Sequence, residues 1–493
     1  MNSPVLLSLF SDLSFDNHSS KALYIQLAEC IQGLVRKGKL LPGERLPSTR
    51  MLSSVLDLNR LTINKAYQEL WMQGWIYSHV GKGSFISPQL PEIKPAALRV
   101  GNAKNPLQTA GFPIDFLNEF HQVLDDDYNR LHLDDGYPDP KLAPLKELYR
   151  AYRSQLTRGG LYHKFGRYSI PEGSSHLRKV LADYLNHTRA LNISEENVIT
   201  VRGTVMGINL VCSGLIKRGD TVVSGIPGWK RAEQNFQHAG AVHLGIPIDQ
   251  EGIVLEELEK ICKRRPVRMV YITPHHHYPT TVSLPMHRRL ELLKLSERYG
   301  FIIFEDDYDF DFHYKHKPLL PLASADENGM VIYGGSFSKS FSPAFRLGYL
   351  VASKNVIDHL SSVRLLLDRQ GDHILENAMA ELIEEGTIQR YLRKTLSVYQ
   401  ERRDTFCRLL QTELSDQVQF HVPEGGMTVW TRFDEHIDLT SLAQRCKKQG
   451  LSFSDGTVHQ YKTFKANATR LGFASSSLSE LEESVAIIKK QIK

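Results

Sequence analysis

The chain has 493 residues, a formal net charge of +5 and 41% hydrophobic residues. This length predicts two or three domains with a large core, while the charge is too small to indicate a partner by itself. The five cysteines form no CxxC pair, and no apolar run approaches the roughly 18 residues of a membrane helix. These features argue against a disulfide-stabilised or membrane protein. Without a signal-like segment at the start, we expect a cytoplasmic protein.

Three short helices and a hairpin are predicted at the start of the chain. The first helix covers residues 21–37, with Leu27 and Ile31 among its apolar positions at helical spacing. After the turn LPGERLPS, Ser48 can cap a second helix, STRMLSSVLDL. Asn59 can cap a third helix, RLTINKAYQELWMQGW. The segments IYSHV and SFIS flank a glycine turn and predict a β-hairpin.

This order of elements describes an α+β winged helix-turn-helix, and residues 41–86 resemble the GntR family over nearly their whole length. The resemblance implies DNA binding, with the third helix in the major groove. The chain departs from the family at Asp57, where glycine is usual, and at Asn59, where serine is common. A small helical protein-binding domain with solvated charges is the alternative.

Arg60 is the first choice for reading a base, because a guanidinium can bind guanine through two hydrogen bonds. The remaining candidates for contacts to the groove or the phosphates are Ser48, Thr49, Arg50, Thr62, Asn64, Lys65 and Lys82. We therefore assign residues 1–88 to a DNA-binding domain. Residues 89–113, rich in Pro, Ala, Asn and Gly, predict a linker, and residues 116–134 predict a helical insertion without an assigned function. The large domain would span residues 114–493.

Two apolar strands of the large domain lead into residues suited to ligand binding. The strand before Gly203 runs into a helix whose first N–H groups can bind a phosphate. The strand in FIIFEDDYDFDF (residues 301–312) ends in carboxylates that include Asp306, with Tyr308 in the same turn. Ligands bind at the carboxyl ends of strands in open α/β sheets, so a binding site is predicted here. A solvated loop or a metal site is the alternative for the acidic run.

A third strand, VIYGGSF, leads to Lys339 in a Ser-rich turn, and Arg346 follows seven residues later. A lysine held where a buried strand meets a loop can form a Schiff base with an aldehyde cofactor. Ser336, Ser338 and Arg346 are donors that a phosphate group needs beside it. Taken alone, a lysine in such a loop is more often solvated, but the carboxylates upstream reverse that balance.

The order strand–carboxylate–Tyr, strand–Ser–x–Ser–Lys and then Arg resembles the fold type I enzymes of pyridoxal 5'-phosphate (PLP). The wording EDDYD…GSFSK…RLGYL is similar to the aminotransferase-like domain of MocR-type transcriptional regulators. This resemblance implies an α/β fold with a mostly parallel central sheet and a smaller C-terminal α/β subdomain. It implies that Lys339 binds PLP, that Asp306 pairs with the pyridine nitrogen, and that Tyr308 reaches the phenolic oxygen.

The resemblance also assigns residues outside these strands. Tyr168 would reach the cofactor phosphate of the partner subunit, which implies a homodimer with shared sites. Trp229 would stack on the pyridine, with a core position as the alternative, and Arg470 would bind a substrate or effector carboxylate. Two glutamines common in the family are replaced here by Val205 and Met206. The contacts that remain for the phosphate are the backbone of Gly203, Thr204 and Val205 and the Thr204 hydroxyl.

The loop RMVYITPHHHYPTT departs from active aminotransferases. Tyr278 takes the place of the asparagine that binds the phenolic oxygen, so it is a candidate cofactor contact, and Thr281 replaces the usual glycine. Both changes favour a regulator over an efficient enzyme. The three consecutive histidines, residues 275–277, could bind a metal, but adjacent residues cannot easily share one ion. A polar lining of the site is therefore expected.

The two halves together predict a PLP-dependent transcriptional regulator. It would bind operator DNA as a homodimer and sense an amino acid, an amine or PLP itself. We expect sensing rather than efficient turnover, with residual transaminase activity possible. An active aminotransferase carrying a DNA-binding domain is the alternative, and a degenerate domain that only dimerises the DNA-binding heads is a third reading.

Overall fold

The computed structural model describes the following residues: 7–11, 13–16, 19–79, 81–91, 111–114, 129–157, 160, 166–314 and 319–492. Contacts within the chain divide it into two units, residues 1–116 and 117–493. Most of the predicted linker, residues 92–110, lies outside the described residues. No helix in the described ranges is long and apolar enough to cross a membrane.

The first unit contains four described helices and a two-stranded hairpin. Their bounds are α1 Ser8–Ser11, α2 Leu23–Arg36, α3 Thr49–Leu56, α4 Arg60–Met72, β1 Ile76–His79 and β2 Gly83–Ile86. The strands pair antiparallel. Ser48 Oγ accepts a hydrogen bond from the Met51 N–H at 3.2 Å, and Asn59 Oδ1 accepts one from the Leu61 N–H at 2.8 Å. The predicted caps and the predicted hairpin are confirmed.

Asp57 shows why glycine is usual at the end of α3. It ends the helix in the left-handed conformation, with φ +50°. Glycine adopts this conformation without penalty, and aspartate does so more readily than most other residues. The turn can then bring α4 onto the apolar core of the unit, where Leu27, Leu52 and Ile63 are buried together.

The second unit begins, among its described residues, with the strand β3 Leu131–Leu133. The prediction of a helical insertion over residues 116–134 is therefore wrong for these residues, and residues 115–128 lie outside the described part of the chain. The two leucines of β3 are buried while His132 between them is half-buried, which is the alternation of a strand with one covered face.

The large sheet has eight strands within the described residues. Their bounds are β4 Val198–Val201, β5 Thr221–Ile226, β6 Val242–Asp249, β7 Gly252–Ile253, β8 Met269–Ile272, β9 Ile302–Asp307, β10 Val331–Ser336 and β11 Gly348–Val351. The strand order is β4-β11-β10-β9-β8-β5-β6-β7. The strand β11 is antiparallel to both neighbours and β7 is antiparallel to β6, whereas the other pairs are parallel. The predicted mostly parallel sheet is confirmed.

Helices surround this sheet. Their bounds are α5 Leu145–Thr157, α6 Ser175–Arg189, α7 Thr204–Leu215, α8 Lys230–His238, α9 Leu255–Arg264, α10 Met286–Tyr299, α11 Phe337–Ser340, α12 Lys354–Leu367, α13 His373–Glu384 and α14 Thr387–Glu413. Successive residues of β9 belong to different buried clusters, Ile303 to one and Phe304 to the other. Both faces of the sheet are therefore covered, as expected for a parallel sheet.

The end of the chain forms the predicted smaller α/β subdomain. Its elements are β12 Val418–Phe420, β13 Thr428–Phe433, α15 Leu439–Lys448, β14 Leu451–Phe453, β15 Ala468–Gly472 and α16 Leu478–Gln491. The strands β12, β13 and β15 form an antiparallel sheet, and β14 pairs in parallel with β3. Arg470 lies in the middle of β15, opposite Trp430 of β13.

Candidate functional site

Predicted site residues follow the carboxyl ends of five strands, β4, β10, β9, β8 and β5. These strands run in the same direction, so their carboxyl ends meet at one edge of the sheet. The residues that follow them there are Gly203, Lys339, Tyr308, Tyr278 and Trp229. Strand pairing thus gathers residues that are far apart in the sequence at one edge.

Asp306 is buried near the end of β9. Its Oδ2 accepts a hydrogen bond from the hydroxyl of Tyr271 on β8 at 2.6 Å, while its Oδ1 has no hydrogen-bond partner. Burial raises the pKa of the Asp306 carboxyl to about 7, against the opposing effect of the Tyr271 hydrogen bond. A buried oxygen without a partner is costly, so this position suits a cationic N–H donor such as a protonated pyridine.

Asp306→Asn tests this environment in the cofactor-free protein. Because the pKa of this carboxyl is higher in the folded than in the unfolded state, its contribution to stability is lost as the pH rises from about 4 to about 7. The neutral amide has no such loss. The free energy of unfolding of the variant minus that of the wild type should therefore increase by up to roughly 4 kcal/mol over this range, and by roughly 3 kcal/mol between about pH 5 and about pH 8. Urea unfolding at about pH 5 and about pH 8 measures it, and a constant difference would contradict the burial argument.

A second part of the site surrounds the start of α7. Gly203 has φ +77° and precedes the helix without a side-chain cap. The first N–H groups of α7, which have no intrahelical acceptor in any helix, therefore receive none from a capping side chain either. Thr204 and Val205 form this first turn and are half-buried. A Cβ added to Gly203 would lie 2.8 Å from Nη2 of Arg346, which donates to the Arg202 carbonyl at 2.8 Å. A guanidinium and a positive helix end therefore lie together, as an anion requires.

The Ser-rich turn lies beside this helix start. Ser336 pairs with Gly348 on β11, and Gly348 pairs with Val201 at the end of β4. The Ser336 hydroxyl donates to Ser338 Oγ at 2.9 Å and accepts from the Ser338 N–H at 3.1 Å. These contacts hold two hydroxyls next to the anion-binding residues.

Lys339 lies in the short helix α11 and is half-buried. Its Nζ donates to the carbonyl oxygens of Asp135 at 3.0 Å and Gly136 at 2.6 Å, and lies 4.6 Å from the ring centroid of Tyr137. Desolvation lowers the pKa of this ammonium, against the attraction of Asp135. A lowered pKa increases the neutral fraction, which is the form that attacks an aldehyde.

Arg470 is buried and already has a carboxylate partner. Its Nε donates to Asp135 Oδ1 at 2.6 Å, and its Nη1 donates to the Pro279 carbonyl at 3.2 Å. The Tyr278 hydroxyl donates to the other oxygen of Asp135 at 3.1 Å, and the guanidinium lies 4.5 Å from the Tyr278 ring centroid. The structure therefore brings Arg470, Tyr278 and Lys339 together around Asp135.

Three aromatic residues that the resemblance assigns to the cofactor contact other residues of this chain. The Tyr308 hydroxyl donates to the His276 carbonyl at 2.7 Å, and burial raises its pKa. Trp229 is half-buried, with its ring centroid 6.5 Å from that of Tyr278. Tyr168 is exposed, and the Cζ atom of Arg369 lies 4.1 Å from the centroid of its ring. Their assigned contacts to the cofactor stay predictions.

The three consecutive histidines are buried and have three different partners. His275 Nε2 is hydrogen-bonded to the Leu319 carbonyl at 2.7 Å, and His277 Nε2 to the Pro227 carbonyl at 2.9 Å. His276 Nδ1 lies 2.9 Å from a carboxylate oxygen of Asp309. No group of three metal-ligating side chains occurs among the described residues.

Thr281 ends the loop that follows these histidines. It adopts φ +63°, and its N–H donates to the His277 carbonyl at 2.7 Å. A β-branched residue is strained in this left-handed conformation, which explains why glycine is usual at this position. The tight turn of this loop is therefore formed in this chain by a threonine in a strained conformation.

Two residues of the site were missed by the sequence analysis. Tyr271 supports Asp306 from the neighbouring strand, and Asp135 binds Arg470. Tyr271 stands in the buried strand RMVYI, where a polar hydroxyl needs a partner, and this was a usable signal. Asp135 precedes a glycine in DDGYPDP, a pattern that indicates a turn but not which side chain the turn approaches.

In the first unit, the predicted DNA-contact residues lie mostly on the surface. Arg60 is the first residue of α4 and is exposed, with its Nε 3.5 Å from Thr49 Oγ1. The exposed candidates are Ser48, Arg50, Arg60, Asn64, Lys65 and Lys82, whereas Thr49 and Thr62 are half-buried. Lys82 stands in the turn of the hairpin. The start of α4 and the hairpin turn thus present basic and polar side chains to solvent.

The fold and these residues define a class: a winged helix-turn-helix followed by a fold type I PLP domain. The family "Aminotransferase class I and II" matches residues 137–488, and "Bacterial regulatory proteins, gntR family" matches residues 23–86. The chain belongs to the aminotransferase class I and II family and, with its N-terminal GntR unit, is a MocR-like transcriptional regulator. The predicted family is confirmed.

Individual relatives come from both the regulators and the enzymes. The chain is 27% identical to the probable rhizopine catabolism regulatory protein MocR of Rhizobium meliloti, over 96% of this chain and 94% of that protein. It is 28% identical to aromatic-amino-acid aminotransferase 1 of Thermococcus litoralis, over 73% and 87%. The structure of Pyrococcus horikoshii kynurenine aminotransferase in complex with PMP matches with a TM-score of 0.67 and 26% identity, covering 73% of this chain and 90% of that chain.

Members of this family use PLP, and the residues present fit it. The unpartnered oxygen of Asp306 suits the pyridinium N–H, and the start of α7 with Arg346 suits the phosphate. Lys339, with its lowered pKa, suits the aldehyde. The predicted cofactor is therefore the one that this fold and its residues are built to bind.

Proposed function

We propose that this chain is a cytoplasmic regulator whose large domain binds PLP and senses an amino acid, an amine or PLP itself, and whose first unit binds operator DNA as part of a homodimer. The observation that carries the proposal is the combination at one sheet edge of Lys339, Asp306 and the anion-binding start of α7. When bound, PLP supplies an aldehyde that links covalently to amines.

Each residue has a separate task in this proposal. Lys339 holds the cofactor until a ligand amine takes the place of its own amine. The lowered pKa of Lys339 favours this exchange, because the lysine is more readily neutral. Asp306 keeps the pyridine nitrogen protonated, and Arg346 with the N–H groups of α7 holds the phosphate. Arg470 receives a carboxylate of the ligand. Trp229 and Tyr308 border the ring, and exposed Tyr168 is directed to the partner subunit.

Sensing requires that the ligand binds two states of the regulator with different affinities. A ligand shifts an equilibrium only by this difference, and a typical allosteric coupling is about 1–3 kcal/mol. When a ligand amine replaces Lys339, the covalent link at the sheet edge changes. When a ligand carboxylate binds Arg470, the contacts of the C-terminal subdomain that carries Arg470 change. Either change can favour one arrangement of the domain.

The proposal is tested by titrating the purified, PLP-loaded protein with a panel of amino acids and amines. The visible absorbance of the bound cofactor reports exchange at Lys339, and binding to a DNA sequence selected from a random library reports regulation. We expect one ligand to change both at the same concentration. If the absorbance responds but the affinity for the selected DNA never does, the sensing role is refuted.

An active aminotransferase is the second candidate, because Lys339, Asp306 and the anion-binding start of α7 suit PLP and the Thermococcus litoralis relative is named as such an enzyme. The replacement of the usual asparagine by Tyr278 argues against efficient turnover. Its hydroxyl donates to Asp135, whereas the asparagine would donate to the cofactor. Sustained formation of a keto acid from an amino acid and a keto-acid acceptor would favour the enzyme.

Arg60→Ala should lose discrimination between the selected DNA and random DNA. If Arg60 binds a guanine through two hydrogen bonds, the loss is about 1–3 kcal/mol. Lys82→Ala is the matched control, since Lys82 is also exposed but lies in the hairpin turn. It should weaken binding to both DNAs alike and reduce the salt dependence. An unchanged affinity ratio for Arg60→Ala would show that the start of α4 does not read bases.

A further inference from the structure

The carboxylate-binding position of the effector site is occupied by a residue of the chain itself. Asp135 Oδ1 accepts from Arg470 Nε at 2.6 Å, and Asp135 Oδ2 accepts from the Tyr278 hydroxyl at 3.1 Å. The Arg470 side chain is only 4% exposed, whereas that of Asp135 is 42% exposed. The arginine is therefore held inside the protein, and the aspartate has open space into which its carboxylate can turn.

The backbone that carries Asp135 is anchored on both sides. Asp134 accepts hydrogen bonds from the Tyr137 N–H at 2.8 Å and from the Ser475 hydroxyl at 2.5 Å. Gly136 has φ +73°, and a Cβ there would lie 2.8 Å from Cγ2 of Thr428. Since the turn is fixed by these neighbours, the side chain of Asp135 can leave Arg470 without a movement of the backbone that contacts Lys339.

We infer that Asp135 is the specificity-determining residue of the effector site, acting as an internal carboxylate that a ligand carboxylate must displace from Arg470. The inference rests on the proposed function. Displacement exchanges one carboxylate for another, so the charge around Arg470 is unchanged and no proton is needed. The competition reduces the affinity for every carboxylate-bearing amine, whereas an amine without a carboxylate leaves the Asp135–Arg470 pair intact.

The test compares amines that differ only in the carboxylate: glycine with methylamine, L-alanine with ethylamine, and L-leucine with 3-methylbutylamine. Each is titrated into the PLP-loaded full-length protein, and the dissociation constant is taken from the cofactor absorbance and from calorimetry. Asp135→Asn should lower the dissociation constants of the amino acids roughly tenfold or more, because Arg470 loses the charged partner with which a ligand carboxylate competes. The constants of the amines should stay within about twofold of those of the wild type.

Two further variants sharpen the comparison. Asp134→Asn is the matched control, since Asp134 is the neighbouring acid of the same turn and accepts hydrogen bonds from the Tyr137 N–H and the Ser475 hydroxyl. The asparagine Oδ1 can still accept from the Tyr137 N–H that anchors the turn. Its ratio of amino-acid to amine affinity should equal that of the wild type. Asp135→Ser, which is smaller and also uncharged, should change the ratio in the same direction as Asp135→Asn.

The outcomes separate this inference from the proposed function. If methylamine changes the wild-type spectrum but Asp135→Asn leaves the amino-acid constants unchanged or raises them, the role of Asp135 is refuted and the sensing site stands. If neither the amines nor the amino acids change the spectrum of either protein, the proposed sensing of amino compounds fails, and the role of Asp135 fails with it. A tightening that is equal for amino acids and amines would also refute the inference, because Arg470 would then not be the group released.

Discussion

Lys339→Ala is expected to abolish the visible absorbance of the covalently bound cofactor. The site loses the amine that attacks the aldehyde, and neither β10 nor α11 contains a second lysine that could replace it. The fold should persist, since Lys339 Nζ contacts the carbonyls of Asp135 and Gly136 and the ring of Tyr137, which belong to a turn held by other contacts. Absorbance of the PLP-saturated variant and far-ultraviolet circular dichroism measure the two expectations.

Lys230→Ala provides the control for this experiment. Lys230 follows Trp229, and desolvation lowers the pKa of its ammonium as it does for Lys339. Its Nζ, however, lies against the ring of Tyr461, at 3.1 Å from the centroid. The variant should keep the cofactor absorbance. Borohydride reduction of the wild type followed by peptide mapping should place the label on Lys339, and a label on Lys230 would refute the assignment.

Arg470→Ala should keep PLP but lose the response to a carboxylate-bearing ligand, in both the cofactor spectrum and DNA binding. Arg470 is not among the groups assigned to the phosphate, so the cofactor should remain. Removing a buried charge-assisted contact costs a ligand roughly 2–5 kcal/mol, which exceeds a typical coupling of about 1–3 kcal/mol. The affinity for selected DNA with and without L-alanine, at saturating PLP, measures the loss. Ethylamine should act equally on both proteins.

The Asp135–Arg470 contact makes this prediction more specific. In the Arg470→Ala background, Asp135→Asn should no longer improve the binding of amino acids, because the group for which the carboxylates compete is absent. Such non-additivity is the signature of two residues acting through one contact. An unchanged response of Arg470→Ala to L-alanine would show instead that the arginine is structural, and Arg470→Lys would then also behave like the wild type.

Much of the site could be predicted because it depends on local order along the chain. Asp306 and Tyr308 lie at the end of one strand, and Lys339 follows another, so parallel pairing alone brings them to one edge. The caps Ser48 and Asn59 were equally predictable, since a cap bonds to N–H groups only two or three residues away. The caps join residues that are close together in the sequence, and the site residues follow the general rule that ligands bind at the carboxyl ends of parallel strands.

What the sequence determined by itself is therefore the class of each domain, the order of helices and hairpin in the first unit and the residue types assigned to the cofactor. Only the tertiary structure decided that β3 is a strand, that Tyr271 supports Asp306, and that Asp135 occupies Arg470. The strand β3 pairs with β14, and Asp135 meets Arg470, each across more than 300 positions of the chain. No periodicity or spacing encodes such contacts, because they arise only when separate elements pack and an aspartate and an arginine are desolvated together.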